Sequence, residues 1–476
     1  MLSVIRRFST RSLVLGVLAL SVNAAQAVGV PAEIVTAFAQ AKVPMSDVAL
    51  YVKPVNNRKP SLMYRADAAM GPASTMKVVT TYAGLSLLGP AYTWGTEAYV
   101  NGSLQQGILQ GNLILRGGGD PRWTIERIWL MLRDLQARGV KDIRGDIVLD
   151  RRYWAETPTD PNAFDGAGYR PYNVLPDAFL ANFQAIRFRL REDAGKVAIT
   201  MDPALSNLKL DTDLMIGAGD CANWRDQLSV ESVPTSGLKL SGLFPAGCGE
   251  QELYLSPLPP TAYLSELLRG MWRDLGGQWT GQLRDGQLTA FPGSTLLARY
   301  DSPPLSDIVR DINKFSNNTQ ARMVFLALGG EFQPVEQLLP QARARILDFL
   351  ALQHIPTDNL ILDNGSGLSR QARISARQLG MILEQAVNSP IGPELIASLP
   401  IAGIDGTMKS RLHDTPVLGQ AHVKTGTLSN VKAVAGVVHT RNGAVVVVGL
   451  VNHPHAMATG EALDKLIQWA ALSAAR

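Results

Sequence analysis

Acyl transfer through a serine needs a hydroxyl nucleophile, a base within reach of its proton, and donors for the charge that develops on the carbonyl oxygen. A Ser-x-x-Lys at a helix start supplies the first two, because positions three apart share a helix face and bring the lysine amine to the serine oxygen. The chain has four such pairs: Ser74 and Lys77, Ser206 and Lys209, Ser236 and Lys239, Ser429 and Lys432. Context separates them. Ser74 follows Gly71-Pro72-Ala73 and opens a run in which Met76, Val79, Ala83 and Leu87 recur at helical spacing. Ser206 and Ser236 stand beside strand-like or glycine-broken runs, and Ser429 falls in a loop after a strand. Taken alone, the Ser74 pair is also what an ordinary helix cap beside a solvated lysine looks like.

Two further motifs change the weighting. Ser316-Asn317-Asn318 is the one Ser-x-Asn beyond residue 27, and Lys424-Thr425-Gly426 is the one Lys-Thr-Gly in the chain. A glycine on a Lys-Thr-Gly strand lets a substrate backbone approach closely and pair as an added strand. The amine of Lys424 and the hydroxyls of Thr425 and Thr427 can hold a terminal carboxylate, which selects for chain ends. Lys77 and Lys424 in one cleft would depress each other's pKa and leave one of them a neutral, basic amine.

These residues need a scaffold, and both ends of the chain supply one. Pro31 to Lys42 has helical periodicity, followed by strand-like runs Asp47 to Val55 and Ser61 to Arg65. Near the far end, His422 to Thr427, Ala433 to Thr440 and Ala444 to Val451 read as strands, the last two flanking the hairpin turn Arg441-Asn442-Gly443. Gly460 to Ala475 then reads as an apolar-faced helix. The two ends therefore predict one antiparallel sheet. Between them, about 96 to 289 is β-rich, with one helix over Thr124 to Arg138 and short strands such as Ile186 to Leu190, Lys196 to Met201 and Gln251 to Leu255. Helical signals return at Ala262 to Leu275, Pro304 to Asn313, Asn318 to Leu328, Pro340 to Leu352 and Ala376 to Val387. The reading is a mixed α/β domain over 28–95 and 290–476, interrupted by an insertion over 96–289 that divides into two subdomains. The run Gly117-Gly118-Gly119-Asp120 lacks both the P-loop ending and the dinucleotide spacing, and reads as a turn.

Composition fits a folded, soluble chain: of 476 residues, 46% are hydrophobic and 18% charged. The net charge of +4 is misleading as a sign of polyanion binding. Arg6, Arg7 and Arg11 precede an apolar stretch from Leu13 to Val22 and a small-x-small site at Ala25-Gln26-Ala27, the pattern of a cleaved secretory leader over 1–27. Cleavage there removes 27 residues and three arginines, leaving 449 residues with 42 basic and 41 acidic side chains. No nucleic-acid partner is implied, and the expected compartment is outside the cytoplasm. Cys221 and Cys248 are the two cysteines, and a disulfide between them would stabilise the fold by about 3.5 kcal/mol on the chain-entropy argument. The six histidines form no zinc motif, so no metal is expected.

The ordered trio Ser74-x-x-Lys77, Ser316-x-Asn318 and Lys424-Thr425-Gly426 resembles the serine penicillin-recognising family of penicillin-binding proteins and β-lactamases. The 242-residue gap between the first two motifs matches the inserted block and narrows the resemblance to class C low-molecular-mass penicillin-binding proteins, D-alanyl-D-alanine carboxypeptidase/endopeptidases of the penicillin-binding protein 4 type. Supporting phrases are Leu115 to Pro121, Asp363 to Arg370 and Gly403 to Thr407. The resemblance implies an α/β fold with a five-stranded antiparallel sheet flanked by helices. It implies Ser74 as nucleophile, Lys77 as general base, Ser316 as proton relay and Asn318 as the group orienting Lys77 and substrate. Lys424 and Thr425 would bind the terminal carboxylate along the Gly426 and Thr427 strand, with the N–H groups of Ser74 and Thr427 as oxyanion hole. Asp150, closing the strand-like Ile147-Val148-Leu149, stands where an acid from the insertion would recognise the amino end of a diaminopimelate side chain. Implied partners are periplasmic peptidoglycan peptides and β-lactam antibiotics, with room for association with the membrane surface or other wall enzymes, and no cofactor.

Two other readings compete. A secreted β-lactamase of one class would need a Glu-x-x-x-Asn loop, and the available match, Glu384 to Asn388, lies on a periodic helix. A non-catalytic peptidoglycan-binding scaffold would have lost a motif residue, and none is lost.

Overall fold

The computed structural model describes residues 29–155, 160–205, 208–233 and 237–473. The expected secretory leader lies outside them. The central element is a five-stranded antiparallel sheet in the order Ala421–Leu428, Val431–Thr440, Gly443–Asn452, Val48–Pro54, Leu62–Tyr64. Its middle strands are valine runs rather than alternating patterns, because both faces are covered. On one face Val434, Val438, Val445, Val447 and Val451 pack with helices Ala32–Gln40 and Gly460–Ser473. On the other, Ala433, Ala435, Val446, Val448 and Leu450 pack with helices Met76–Leu87 and Ala376–Val387. The first strand joins the last, Val48 opposite Val451, so the two ends of the chain build one sheet as their patterns predict.

The insertion leaves and rejoins this body through a narrow neck. Trp94 N–H donates to Ser302 Oγ (3.0 Å) and Ser302 N–H donates to the Trp94 carbonyl (2.8 Å). Beyond the neck, hairpin Gly95–Gln105 and Ile108–Arg116 forms a larger sheet with the parallel strands Asp142–Ile143 and Ile147–Asp150. Thr295–Asp301 closes that sheet against Gly95–Gln105, so the sheet draws on residues beyond 290. Helices Ile125–Ala137 and Pro260–Asp274 pack with this sheet. Two three-stranded sheets extend the insertion. One pairs Lys209–Gly217 in parallel with Gly237–Pro245, and the Cys221–Cys248 disulfide (Cα–Cα 5.4 Å) joins the segments that leave the ends of those two strands.

Two local expectations shift. The helix expected from Pro340 starts at Val335, with Pro340 inside its second turn, where the ring costs one hydrogen bond but the apolar face continues through Leu338, Ala342 and Ile346. The Gly117 to Asp120 run is a crossing of backbones rather than a simple turn: a Cβ at Gly117 would stand 2.5 Å from the Ala178 carbonyl oxygen, and one at Gly118 2.2 Å from that of Gly95.

Candidate active site

Ser74 sits in a single 3-10 turn, Ala73–Thr75, that runs directly into the Met76–Leu87 helix. This turn is gripped by two backbones. A Cβ at Gly426 would lie 2.7 Å from the Pro72 carbonyl oxygen and 3.1 Å from Ser74 N, and one at Gly367 would lie 1.9 Å from the Ala73 carbonyl oxygen. Only glycine lets the Ala421–Leu428 strand and the 363–370 loop close on the turn from both sides. A third hold comes from Asn452, whose side chain accepts from Gly71 N–H (2.7 Å) and donates to the Gly71 carbonyl (3.0 Å). Ala73 itself has φ 46°, a left-handed conformation that an L-residue adopts only when its surroundings hold it.

Lys77 is fully buried and its amine makes three contacts: Ser74 Oγ at 2.9 Å, Asn318 Oδ1 at 2.7 Å and the Ser366 carbonyl at 2.6 Å. Burial lowers its pKa well below the ordinary lysine value, and the positive charges of Lys424 and Arg322 push it in the same direction. Ser316 has φ 57° and accepts from Lys424 Nζ at 3.0 Å, just ahead of the Asn318–Gly329 helix that Asn317 caps. Lys424 also donates to the Thr425 carbonyl, and burial brings its pKa to about 7. Of the mutual depression expected from two neighbouring amines, one direction is present: Lys424 lowers Lys77, after desolvation, whereas Lys424 itself is lowered by desolvation alone.

The Ala421–Leu428 strand is an edge strand only over part of its length. Its outer side is paired at the start, where Ala402 N–H donates to the Ala421 carbonyl and Val423 N–H to the Pro400 carbonyl. By strand alternation the N–H groups of Thr425 and Thr427 face that same outer side, beyond the paired stretch and toward the Ser74 turn. Thr425 Oγ1 is hydrogen-bonded to Thr407 Oγ1 at 2.8 Å. Lys314, two residues before Ser316, is ion-paired with Asp405 at 2.7 Å, which fixes the loop carrying Thr407 against the Ser316 turn.

A cleft of about 750 Å³ opens in front of these groups, lined by Ser74, Ser316, Asn318, Thr427, Asn452 and Arg370 among others. The insertion forms part of its wall through Phe164, Asp165 and Tyr172. It is anchored on three consecutive side chains of the Asn318–Gly329 helix. Asn318 donates to the Tyr172 carbonyl (3.1 Å), Thr319 to that of Val174 (2.9 Å) and Gln320 to that of Pro121 (3.1 Å).

The structure thus brings Ser74, Lys77, Ser316, Asn318, Lys424, Thr425, Gly426 and Thr427 together, and leaves Asp150 out. Asp150 is fully buried in the insertion's own sheet, its carboxylate taken by Arg152 and the Leu288 N–H. Burial raises its pKa, but these donors outweigh it and hold the carboxyl below the usual range. The acid of the insertion that does line the cleft is Asp165, held by Tyr172 Oη and Asn173 Nδ2, each at 2.7 Å. Its partial burial is likewise outweighed by those donors. Arg152, in the turn just past the strand and two residues from Asp150, is the sequence signal that the carboxylate would be consumed locally. Glu384, the glutamate of the lactamase reading, accepts from Lys53 on the central sheet.

Residues 30–473 match the D-Ala-D-Ala carboxypeptidase 3 (S13) family. The chain belongs to that family. It is similar to the D-alanyl-D-alanine carboxypeptidase DacB of Haemophilus influenzae, 27% identical over 84% of each chain. It is also similar to the D-alanyl-D-alanine carboxypeptidase of Actinomadura sp. strain R39, 28% identical over 81% of this chain and 73% of that one. The crystal structure of penicillin binding protein 4 from H. influenzae superposes with a TM-score of 0.73 at 24% identity, covering 88% of this chain and 96% of that one. A predatory endopeptidase from Bdellovibrio bacteriovorus shares the fold at a TM-score of 0.53 and 15% identity, over 89% and 92% of the two chains. The S13 chain is accordingly a serine D-Ala-D-Ala carboxypeptidase with the penicillin-binding protein 4 fold.

Proposed function

We propose that this S13 carboxypeptidase works in the periplasm, reached through cleavage of residues 1–27, and removes terminal D-alanine from peptidoglycan peptides through an acyl enzyme on Ser74. The reading rests above all on the contact of a buried, pKa-lowered Lys77 amine with Ser74 Oγ. In its neutral form Lys77 takes the hydroxyl proton as Oγ attacks the carbonyl carbon of the penultimate D-alanine. The N–H groups of Ser74 and Thr427 receive the oxyanion. As the tetrahedral species collapses, the proton passes through Ser316 to the amine of the departing D-alanine, and the C–N bond breaks. Water then adds to the ester, and Ser74 Oγ leaves with a proton. Protonated Lys424 and the Thr425 hydroxyl hold the terminal carboxylate, while Asn318 orients Lys77 and the substrate amide.

The same chemistry cleaves a D-alanyl-diaminopimelate crosslink and accepts a β-lactam, whose opened ring stays on Ser74. Asp165 takes the place first assigned to Asp150: in the cleft wall, it can receive the ammonium end of a diaminopimelate side chain. The organisation into a catalytic body and an insertion beginning after Trp94 belongs to this proposal.

The test is intact-mass spectrometry of the mature protein after benzylpenicillin, beside Ser74→Ala. A single adduct absent from the variant, with D-alanine released from a diaminopimelate-containing pentapeptide, is expected. Rapid drug turnover without peptide cleavage would replace the proposal with a lactamase, and a folded protein with no adduct would leave a scaffold.

A further inference from the structure

A second cavity, of about 480 Å³, shares the wall formed by Phe164, Leu368, Ser369 and Arg370 with the catalytic cleft. Much of its lining is apolar, including Leu326, Val335 and Leu339. Two of its side chains nevertheless carry buried polar atoms with no partner, Arg322 Nε and Asn173 Oδ1. Arg322 forms no ion pair among the described residues. The carboxylate that acts on it, Asp363, is shared with Arg343 (3.5 Å) and with Asn364 (3.3 Å). The other charged groups of the lining are engaged: Arg370 donates to the Phe164 carbonyl and Asp160 accepts from Asn162 N–H. Asn173 Nδ2 is committed to Asp165 and to the Ala167 carbonyl, which fixes the amide and leaves Oδ1 as a free acceptor.

A largely buried, unpaired guanidinium is costly, and its complement is a carboxylate, which it can grip with two parallel bonds. The complement of Asn173 Oδ1 is an N–H. Beside them the apolar lining takes a small alkyl group. One ligand end offers all three. We propose that this cavity is a second binding site, for the free C-terminal end of an N-acylated amino acid or short peptide, with Arg322 on the carboxylate and Asn173 on the amide N–H.

The site communicates with the chemistry. Arg322 lies one helical turn beyond Asn318, and with Lys424 its charge helps hold the Lys77 amine neutral. A carboxylate on Arg322 cancels that contribution, raises the proton affinity of Lys77 and slows acylation near neutral pH. Peptides ending in D-alanine, the products of the proposed reaction, have this terminus, so the physiological source rests on that reading while the site does not.

The experiment titrates N-acetyl-D-alanine by calorimetry into the benzylpenicillin-acylated mature protein, whose cleft is filled. One equivalent is expected to bind, and at least about tenfold more weakly to Arg322→Leu. In free protein the probe is expected to move the acid limb of benzylpenicillin acylation to higher pH. Arg322→Leu is expected to show the shifted limb without probe and no further shift with it. Leu339→Trp, which fills the cavity from the Val335–Leu352 helix, is expected to lose binding with unchanged acylation, and keeps the test open if Arg322→Leu does not fold. Equal binding to wild type and both variants, or none to wild type, overturns the site. Failure of benzylpenicillin to acylate wild type overturns the Ser74 reading instead, and the titration is then run on Lys424→Ala, whose cleft lacks its carboxylate-binding amine.

Discussion

The two walls of the cleft are built on different physics. On the sheet side, the Ser74 turn is held by backbones at van der Waals contact, Gly426 on the edge strand and Gly367 on the facing loop. On the insertion side, the Asn318–Gly329 helix is held by three side chains that each donate to a carbonyl of a distant segment. Close packing tolerates almost no displacement, because repulsion rises steeply. A hydrogen bond yields more gradually and contributes about 1 kcal/mol net. The first wall is therefore suited to fixing reacting atoms, and the second to holding a substrate-shaping module that can shift slightly without disabling the chemistry.

Substitutions on the two walls should separate these roles. The largest effect is expected from Gly367→Ala, whose Cβ meets the Ala73 carbonyl at 1.9 Å from a backbone at φ 78°. It should destabilise the protein by about 3 kcal/mol and abolish measurable penicillin acylation, read by thermal unfolding and intact mass. Gly426→Ala makes a milder intrusion, 2.7 Å from the Pro72 carbonyl. The turn must slide to make room, which should cost about 1 to 2 kcal/mol in stability, less than Gly367→Ala, and about 100-fold in acylation rate. A large loss of stability without loss of rate would reverse the assignment of this wall.

Lys424 offers a pH test of the same wall. With its pKa near 7, it is cationic below that pH and neutral above it. For a peptide with a free terminal carboxylate, kcat/KM should rise with pH as Lys77 deprotonates, then fall about tenfold per unit above pH 7 as Lys424 loses its charge. Amide-capping the peptide terminus should remove the falling limb, and persistence of that limb in the capped peptide would detach it from carboxylate binding. The smallest effect is expected on the insertion side. Thr319→Val leaves the Val174 carbonyl without its donor, at a cost of about 1 to 2 kcal/mol in stability. Peptide KM should rise a few-fold while penicillin acylation changes by less than about threefold, since only the larger ligand leans on the insertion.

What the sequence reveals follows the same division. The three motifs and the valine strands are local patterns, and each is legible because its spacing or periodicity is set by one element. The central sheet is readable from two ends because each end carries its own strand signals. Asp150 and Asp165 differ in reach, not in type, and reach depends on how the 160–176 segment folds back onto Asn318, which no periodicity encodes. The pairing of Thr295–Asp301 with Gly95–Gln105 is likewise invisible, since a strand pattern does not name its partner. Arg322 and Gly367 acquire their roles only through segments far away in the chain.

The pairing of Val48 with Val451 also sets a timetable. A chain made from its N-terminus completes the Ser74 turn and the whole insertion long before the strands that flank them exist. Gly426 and Asn452, which hold that turn, are among the last parts to arrive. A nascent chain that stops short of Gly426 therefore carries the serine and lysine without the cage that makes them reactive, and the hydrolase is inert until its final strand is in place.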